Sequence, residues 1–284
     1  MFMKTRFVSG IFIFLFYALL CIAAYFSSIA YNALVLLLTL AAVYETIKVI
    51  SSDEEKPMAF LVYIYVAALF AVITFACTWY FIAGLLLLCA VAAVVLKYIL
   101  KTSGRALLKT LFVMLYPVLP FACLALVSGL EAFRLVSVVL ILLIASFADT
   151  FALLFGITIK GKKLCPKISP NKTIAGAVGG LIGGVAASVI IYFIFEKADI
   201  AFLTDTLGCT GAPALLIYLL LGFFGAVFCE AGDLFASLIK RKFGVKDYGN
   251  LIPGHGGIMD RFDGIIFTAV LIFSVLAIIN LIVF

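Results

Sequence analysis

The chain has 284 residues, 67% of them hydrophobic and 12% charged, with a net charge of +6. Soluble domains carry about 45–50% apolar residues, so the composition excludes a soluble globular protein and describes an integral membrane protein with no polar stretch long enough to form a soluble domain. The modest positive balance suits anionic lipid headgroups or phosphates and argues against nucleic acid as a partner.

A spanning helix needs about 20 mostly apolar residues. Nine segments qualify, at about 7–26, 30–50, 58–78, 80–97, 107–127, 133–155, 174–195, 212–236 and 264–284. The predicted fold class is therefore all-α, a polytopic integral membrane helix bundle of about nine transmembrane helices. Lys4 and Arg6 precede a first run that is long enough to span and has no A-x-A cleavage signal, so a retained first helix is expected. Trp79 and Tyr80 are expected in a tight turn between the third and fourth spans, at a membrane interface. Pro117 and Pro120 predict a kink in the fifth. Of the 20 basic residues, only Arg134 and Lys197 fall on the side opposite the N-terminus. By the positive-inside rule the N-terminus faces the cytoplasm and the C-terminus lies outside, in a multi-pass protein of the cell membrane.

The two stretches of the chain read differently. Residues 1–130 are expected to be structural transmembrane helices, with the charged patch Ser51–Lys56 a solvated turn. Residues 131–284 hold the charges that lie in or near spans and are expected to be catalytic. The seven cysteines show no C-x-x-C spacing and read as small packing residues. In the seventh span Gly176, Gly180 and Gly184 recur every four residues, which makes a smooth face for helix packing.

Several residues there point to chemistry. Asp149 is a carboxylate inside an apolar run, a costly placement that marks a functional site; Ser146 and Thr150 are placed to hydrogen-bond it. The loop Lys160–Lys172 carries five lysines, and its prolines Pro166 and Pro170 exclude a continuous helix. These lysines suit either anionic lipid or a nucleotide. Glu230, Asp233, Ser237 and Lys240 follow at spacings of three, four and three, which places them along one helix face. Two acids followed by a base suit a polar cavity wall. Asp260 and Asp263 share a helical face, with Arg261 between them. Asp149, Asp233, Asp260 and Asp263 together form a candidate oxygen-rich metal site of the kind Mg2+ takes. No Cys–His cluster points to zinc. The only histidine, His255, stands in the run G-H-G-G, where glycines let backbone amides approach a ligand.

The densest stretch runs from Ser237 to Asp263. It reads S-x-x-K-R-x4-K-D-x-G-x2-I-P-x-H-G-G-x-x-D-R-x-D, with Ser237, Lys240, Arg241, Lys246, Asp247, Gly249, Pro253, His255, Gly256, Gly257, Asp260, Arg261 and Asp263 at the fixed positions. This resembles the signature of the phosphatidate cytidylyltransferase (CDP-diacylglycerol synthase) family. Upstream the family commonly shows D-T-G-A-Y and then I-S-P-K-K-T-W-E-G. Here Asp149, Thr150 and Ala152 match, with Phe151 and Leu153 in place of Gly and Tyr. Ile168, Ser169, Pro170, Lys172, Thr173 and Gly176 match, with Asn171, Ile174 and Ala175 in place of Lys, Trp and Glu.

The resemblance implies a phosphatidate cytidylyltransferase of phospholipid biosynthesis, converting CTP and phosphatidate to CDP-diacylglycerol and pyrophosphate. Its partners are then CTP, phosphatidate and membrane lipid, and a homodimer is a further expectation. The cofactor is Mg2+, one or two divalent cations, with a monovalent cation as an option. It implies Asp233, Asp260, Asp263, Lys240 and His255 as catalytic residues. Ser237, Arg241, Lys246, Asp247, Gly256, Gly257, Arg261, Lys167, Ser169, Lys172 and Thr173 would bind substrate. The alternatives are a CTP-dependent membrane lipid kinase, which releases CDP, and a cation transporter built on the intramembrane carboxylates.

Overall fold

The computed structural model describes residues 2–51, 55–75, 79–197, 212–252, 254 and 256–283. Among them ten helices follow one another: α1 (Phe2–Phe26), α2 (Ser28–Ile50), α3 (Ala59–Phe75), α4 (Trp79–Ile99), α5 (Gly104–Leu115), α6 (Val118–Leu126), α7 (Arg134–Thr158), α8 (Ile174–Tyr192), α9 (Ala212–Lys242) and α10 (Met259–Val283). One antiparallel hairpin of β1 (Lys163–Cys165) and β2 (Ser169–Thr173) lies between α7 and α8. Among the described residues, six segments are long and apolar enough to cross a membrane, and three shorter apolar helices, Gly10–Phe26, Ala59–Phe75 and Gly84–Ile99, accompany them. These occupy the stretches predicted from the apolar runs. The protein is a multi-pass helical membrane bundle.

Local chemistry sets the ends of the elements. Ser27 and Ser103 start α2 and α5 by accepting hydrogen bonds from the amides of Ala30 (3.3 Å) and Ala106 (3.1 Å), the usual device for an unpaired first-turn amide. The fifth span breaks at Tyr116, which is extended at φ −135 and ψ 121. The residue before a proline is pushed out of the helical region, and Pro117 has no amide to continue the ladder. Pro120 sits in the first turn of α6, where a missing amide removes no helical bond, so the break belongs to Pro117 alone. Trp79 and Tyr80 do not form the expected turn. α4 already begins at Trp79, and the connection, residues 76–78, lies outside the described residues. Half of the Ser51–Lys56 patch, residues 52–54, also lies outside them.

The bundle is tightest where α8 meets α7 and α9. Phe147, Phe151 and Phe155 stack along α7 with ring centres 6.0 and 6.3 Å apart. They lie on the glycines of α8: a Cβ at Gly183 would come 2.8 Å from that of Phe151, and one at Gly179 would come 2.6 Å from that of Phe155. On the adjoining face a Cβ at Gly184 would lie 2.6 Å from Ala226 of α9. The glycine stripe is used inside the chain, for close helix packing. The first helices then close around α10. Phe16 and Tyr17 of α1 and Phe121 of α6 surround Phe262, at centroid distances of 6.4, 6.1 and 6.0 Å. The described cysteines Cys21, Cys89, Cys123, Cys165 and Cys229 are free thiols.

Candidate active site

The last turns of α9 and the first of α10 carry the polar residues, and the hairpin brings one more. Pro166 and Pro170 keep the hairpin segment from helix. Thr173 ends β2 and starts α8, its hydroxyl accepting the Gly176 amide at 3.0 Å. Arg241 Nε donates to the Ile168 carbonyl at 3.3 Å, which ties the hairpin to α9. Lys172 is thereby delivered to Asp233, with Nζ 2.8 Å from Oδ2. Burial pulls the Lys172 pKa down, but the Asp233 carboxylate outweighs it and holds the ammonium above its ordinary range. Asp233 Oδ1 also accepts the Ser237 hydroxyl at 3.3 Å. The expected stripe along α9 is therefore present, and its members are bonded to one another and to the hairpin.

These elements enclose a cavity of about 650 Å³. Six carboxylates line it, Asp149, Glu230, Asp233, Asp247, Asp260 and Asp263, against three cations, Lys172, Lys240 and Arg261. Ala152, Leu153, Ile157, Leu164 and Ala177 give it an apolar wall. Leu153 and Ile157 are exposed, so this apolar wall is open at the surface of the bundle. Ser146 and Thr150 do not serve Asp149 as expected. Their hydroxyls donate to the carbonyls of Leu142 and Ser146, both at 2.7 Å, within α7. The neighbour of Asp149 is instead Cys229 Sγ, at 3.9 Å from Oδ1. Glu230 Oε1 is buried without a hydrogen-bond partner.

Asp260 and Asp263 both face this cavity, as their spacing predicts, but their bonding differs. Asp260 is an anchor. Oδ1 accepts Lys240 Nζ at 2.8 Å, and Oδ2 accepts the amides of Tyr248 at 2.8 Å and Gly257 at 3.0 Å. The Lys240 ammonium also lies 5.6 Å from the centre of the Tyr248 ring, within reach of cation–π attraction. The Tyr248 phenol donates to Ala236 at 3.4 Å, and burial pushes its pKa up. Gly256 takes φ +86, a backbone region that favours glycine. Asp263, 9% exposed, accepts among the described residues only the amide of its neighbour Gly264, at 2.9 Å.

The other sequence candidates divide. Lys172, Thr173 and Asp247 line the cavity. Lys167, Arg241 and Lys246 are exposed and stand outside its wall, as do Ser169 and Ser237, the latter packed behind Asp233. Gly256 and Gly257 make room for protein carboxylates: a Cβ at Gly256 would lie 3.0 Å from Asp260 Oδ2, and one at Gly257 would collide with Glu45. His255 and Pro253 lie outside the described residues. Sequence reasoning missed Glu45, and it placed Glu230 on the cavity wall, where it lies, without counting it among the metal-site acids. Glu45 gave the signal that singled out Asp149, an acid in an apolar helix, but among helices read as structural.

Among the described residues, no three His, Cys, Asp or Glu side chains converge as a ready-made metal centre. The donor chemistry nevertheless fits a hard cation. The acidic donors of the lining are six carboxylates, and Glu230 Oε1 has no hydrogen-bond partner among the described residues; Mg2+ commonly completes its shell with phosphate oxygens and water.

The fold and the cavity define a multi-pass helical membrane protein with an acidic, lysine-flanked cavity that has one apolar wall. The family model described as the cytidylyltransferase family matches residues 4–279, and the chain belongs to that family. It is similar to the phosphatidate cytidylyltransferase of Rickettsia typhi, 37% identical over 158 residues, or 55% of this chain and 65% of that protein. It is 42% identical over 130 residues to the phosphatidate cytidylyltransferase of Rickettsia felis, covering 45% of this chain and 52% of that one. That of Brucella abortus is 36% identical over 150 residues, 53% of this chain and 50% of the relative. The chain thus spans about half to two thirds of the length of the curated relatives it matches.

Proposed function

We propose that the chain is a phosphatidate cytidylyltransferase, which joins CTP and phosphatidate to give CDP-diacylglycerol and pyrophosphate. The observation that carries this reading is the mixed wall of one cavity, where carboxylates and lysines for a triphosphate adjoin an apolar face for a lipid. Family membership and the names of the relatives support it. In this reading a phosphate oxygen of phosphatidate attacks the α phosphorus of CTP. The bond from that phosphorus to the bridging oxygen of the β phosphate breaks, and pyrophosphate leaves with the electron pair. The attacking oxygen is already anionic, so no side chain needs to take a proton from it. Catalysis then rests on positioning and charge stabilisation.

The chain's residues have separable parts in this proposal. Lys172, Lys240 and Arg261 hold phosphate oxygens inside the cavity. Lys167, Arg241 and Lys246 collect the polyanion at its mouth. Asp149, Asp233, Asp260 and Asp263, joined by Glu230, would hold Mg2+. A bound cation would neutralise phosphate charge and orient the leaving group. A need for it follows from the balance of the wall: six carboxylates against three cations repel a triphosphate unless cations accompany it. The chemistry is carried by residues 131–284. With bacterial relatives, the natural location is a bacterial inner membrane, with the cavity on the cytoplasmic side where CTP is found.

Purified protein in detergent, supplied with phosphatidate, CTP labelled at the α phosphorus and Mg2+, tests the reading. Label is expected to move into lipid with release of pyrophosphate, and EDTA is expected to stop both. Label recovered as CDP would replace it with a lipid kinase. Absence of turnover, with cation flux through the protein in vesicles, would replace it with a transporter.

A further inference from the structure

We infer that Glu45, on the second helix, is a positioning residue that sets the start of α10 and with it the placement of Asp260 and Asp263. The inference uses the cytidylyltransferase reading for its activity measurements and stands on its own geometry otherwise.

Glu45 is 1% exposed. Its Oε1 accepts the amide of Ile258 at 3.1 Å and its Oε2 the amide of Met259 at 2.9 Å. These amides open α10, where no carbonyl of the same helix can reach them. A carboxylate there also meets the positive end of the helix dipole. The loop closes on the carboxylate from both sides. A Cβ at Gly249 would lie 2.5 Å from Oε1, and one at Gly257 would collide with both oxygens. The glycines of the signature thus admit a side chain from far away in the sequence. The amides of the loop are divided between two acids, with 258 and 259 taken by Glu45 and 248 and 257 by Asp260. The N-terminus of α10 would serve as an anion site, but the protein's own carboxylate fills it, so these two amides are closed to substrate phosphates. Met259 immediately precedes Asp260, and Asp263 follows one turn later. Shifting the start of the helix moves both carboxylates relative to Asp233 and Lys240 on α9.

The test uses the full chain with Glu45→Gln, which keeps the size of the side chain but sets an NH2 group against one of the two amides. The expected result is a fall in kcat of about 10- to 100-fold, the scale of a small misplacement of reacting groups, with KM for CTP and phosphatidate little changed. Gly257→Ala should give a similar loss by displacing the same carboxylate. Because both variants break one contact, the double variant should be no worse than the poorer single one. Trypsin should cut after the exposed Lys246 faster in Glu45→Gln than in wild type. Wild-type kcat with wild-type cleavage in Glu45→Gln would overturn the inference, as would losses that simply add in the double variant. If the wild type forms no CDP-diacylglycerol, the functional reading fails, and the cleavage rates still decide whether Glu45 holds the loop.

Discussion

Asp260 and Asp263 share a helix face and a cavity, yet their bonds give them different consequences when neutralised. Asp260→Asn keeps one acceptor oxygen, so its NH2 must face either the Lys240 ammonium or the two backbone N–H groups. Leaving such buried donors unsatisfied costs about 1–3 kcal/mol each at most. Asp263→Asn disturbs only a bond to the adjacent amide. Both variants are expected to lose turnover, but only Asp260→Asn should lower the unfolding temperature clearly, which thermal unfolding in detergent alongside the product assay would check. The lysines of the hairpin differ in the same way. Lys172 is paired with Asp233 and Lys167 is exposed, so Lys172→Ala should cost far more activity than Lys167→Ala. Lys172 keeps its proton above its ordinary range. With a raised folded pKa, the pairing contributes fully below the unfolded value of about 10.4 and is lost as pH rises through the folded one. The Lys172-dependent limb of a pH–rate profile is therefore expected at strongly alkaline pH, and Lys172→Ala should remove it; a limb near neutrality that survives the substitution would exclude Lys172 as its source.

At the scale of elements, α8 shows how little freedom the tightest contacts leave. A Cβ at Gly184 would meet the Cβ of Ala226 at 2.6 Å and the backbone carbonyl of Gly222 at 2.7 Å, and neither atom belongs to a flexible side chain. Gly184→Ala is expected to destabilise the bundle by about 1–3 kcal/mol. Gly84→Ala, where nothing lies within 4 Å of the new atom, should be neutral or slightly stabilising. Thermal unfolding of the two variants compares them directly. The four-residue repeat of Gly176, Gly180 and Gly184 made this packing legible, because periodicity reports a helix face. The same repeat does not say which partner covers the face, and α7 supplies it with the phenylalanines 147, 151 and 155. Phe151, a departure from the family pattern, belongs to that ladder and not to the cavity. The hairpin was only half legible. Two prolines excluded helix, but strand pairing between Lys163 and Thr173 depends on a register that no short apolar pattern marks.

For the whole molecule, the apolar runs were sufficient to place the helices, because each must bury its backbone polar groups within itself in a lipid environment. The acidic and basic residues of the cavity were legible for a related reason: charge among spans is rare enough to point to its own use. Glu45 carried that signal and was passed over, since sequence separation hides that α2 lies against the start of α10. Helices α1, α2 and α6 all meet α10, through Tyr17, Glu45 and Phe121 among others, so the cavity's far wall is braced by the first part of the chain.

The bond between Glu45 and Ile258 spans 213 positions of the sequence. A ribosome makes the carboxylate long before the amides that will receive it, so through most of synthesis this acid has no native partner in the membrane. It is the start of α10 that satisfies it. A nascent chain arrested before α10 therefore lacks Asp260 and Asp263 and leaves the Glu45 carboxylate without the two amides that donate to it, so synthesis of α10 is the step that completes this part of the bundle.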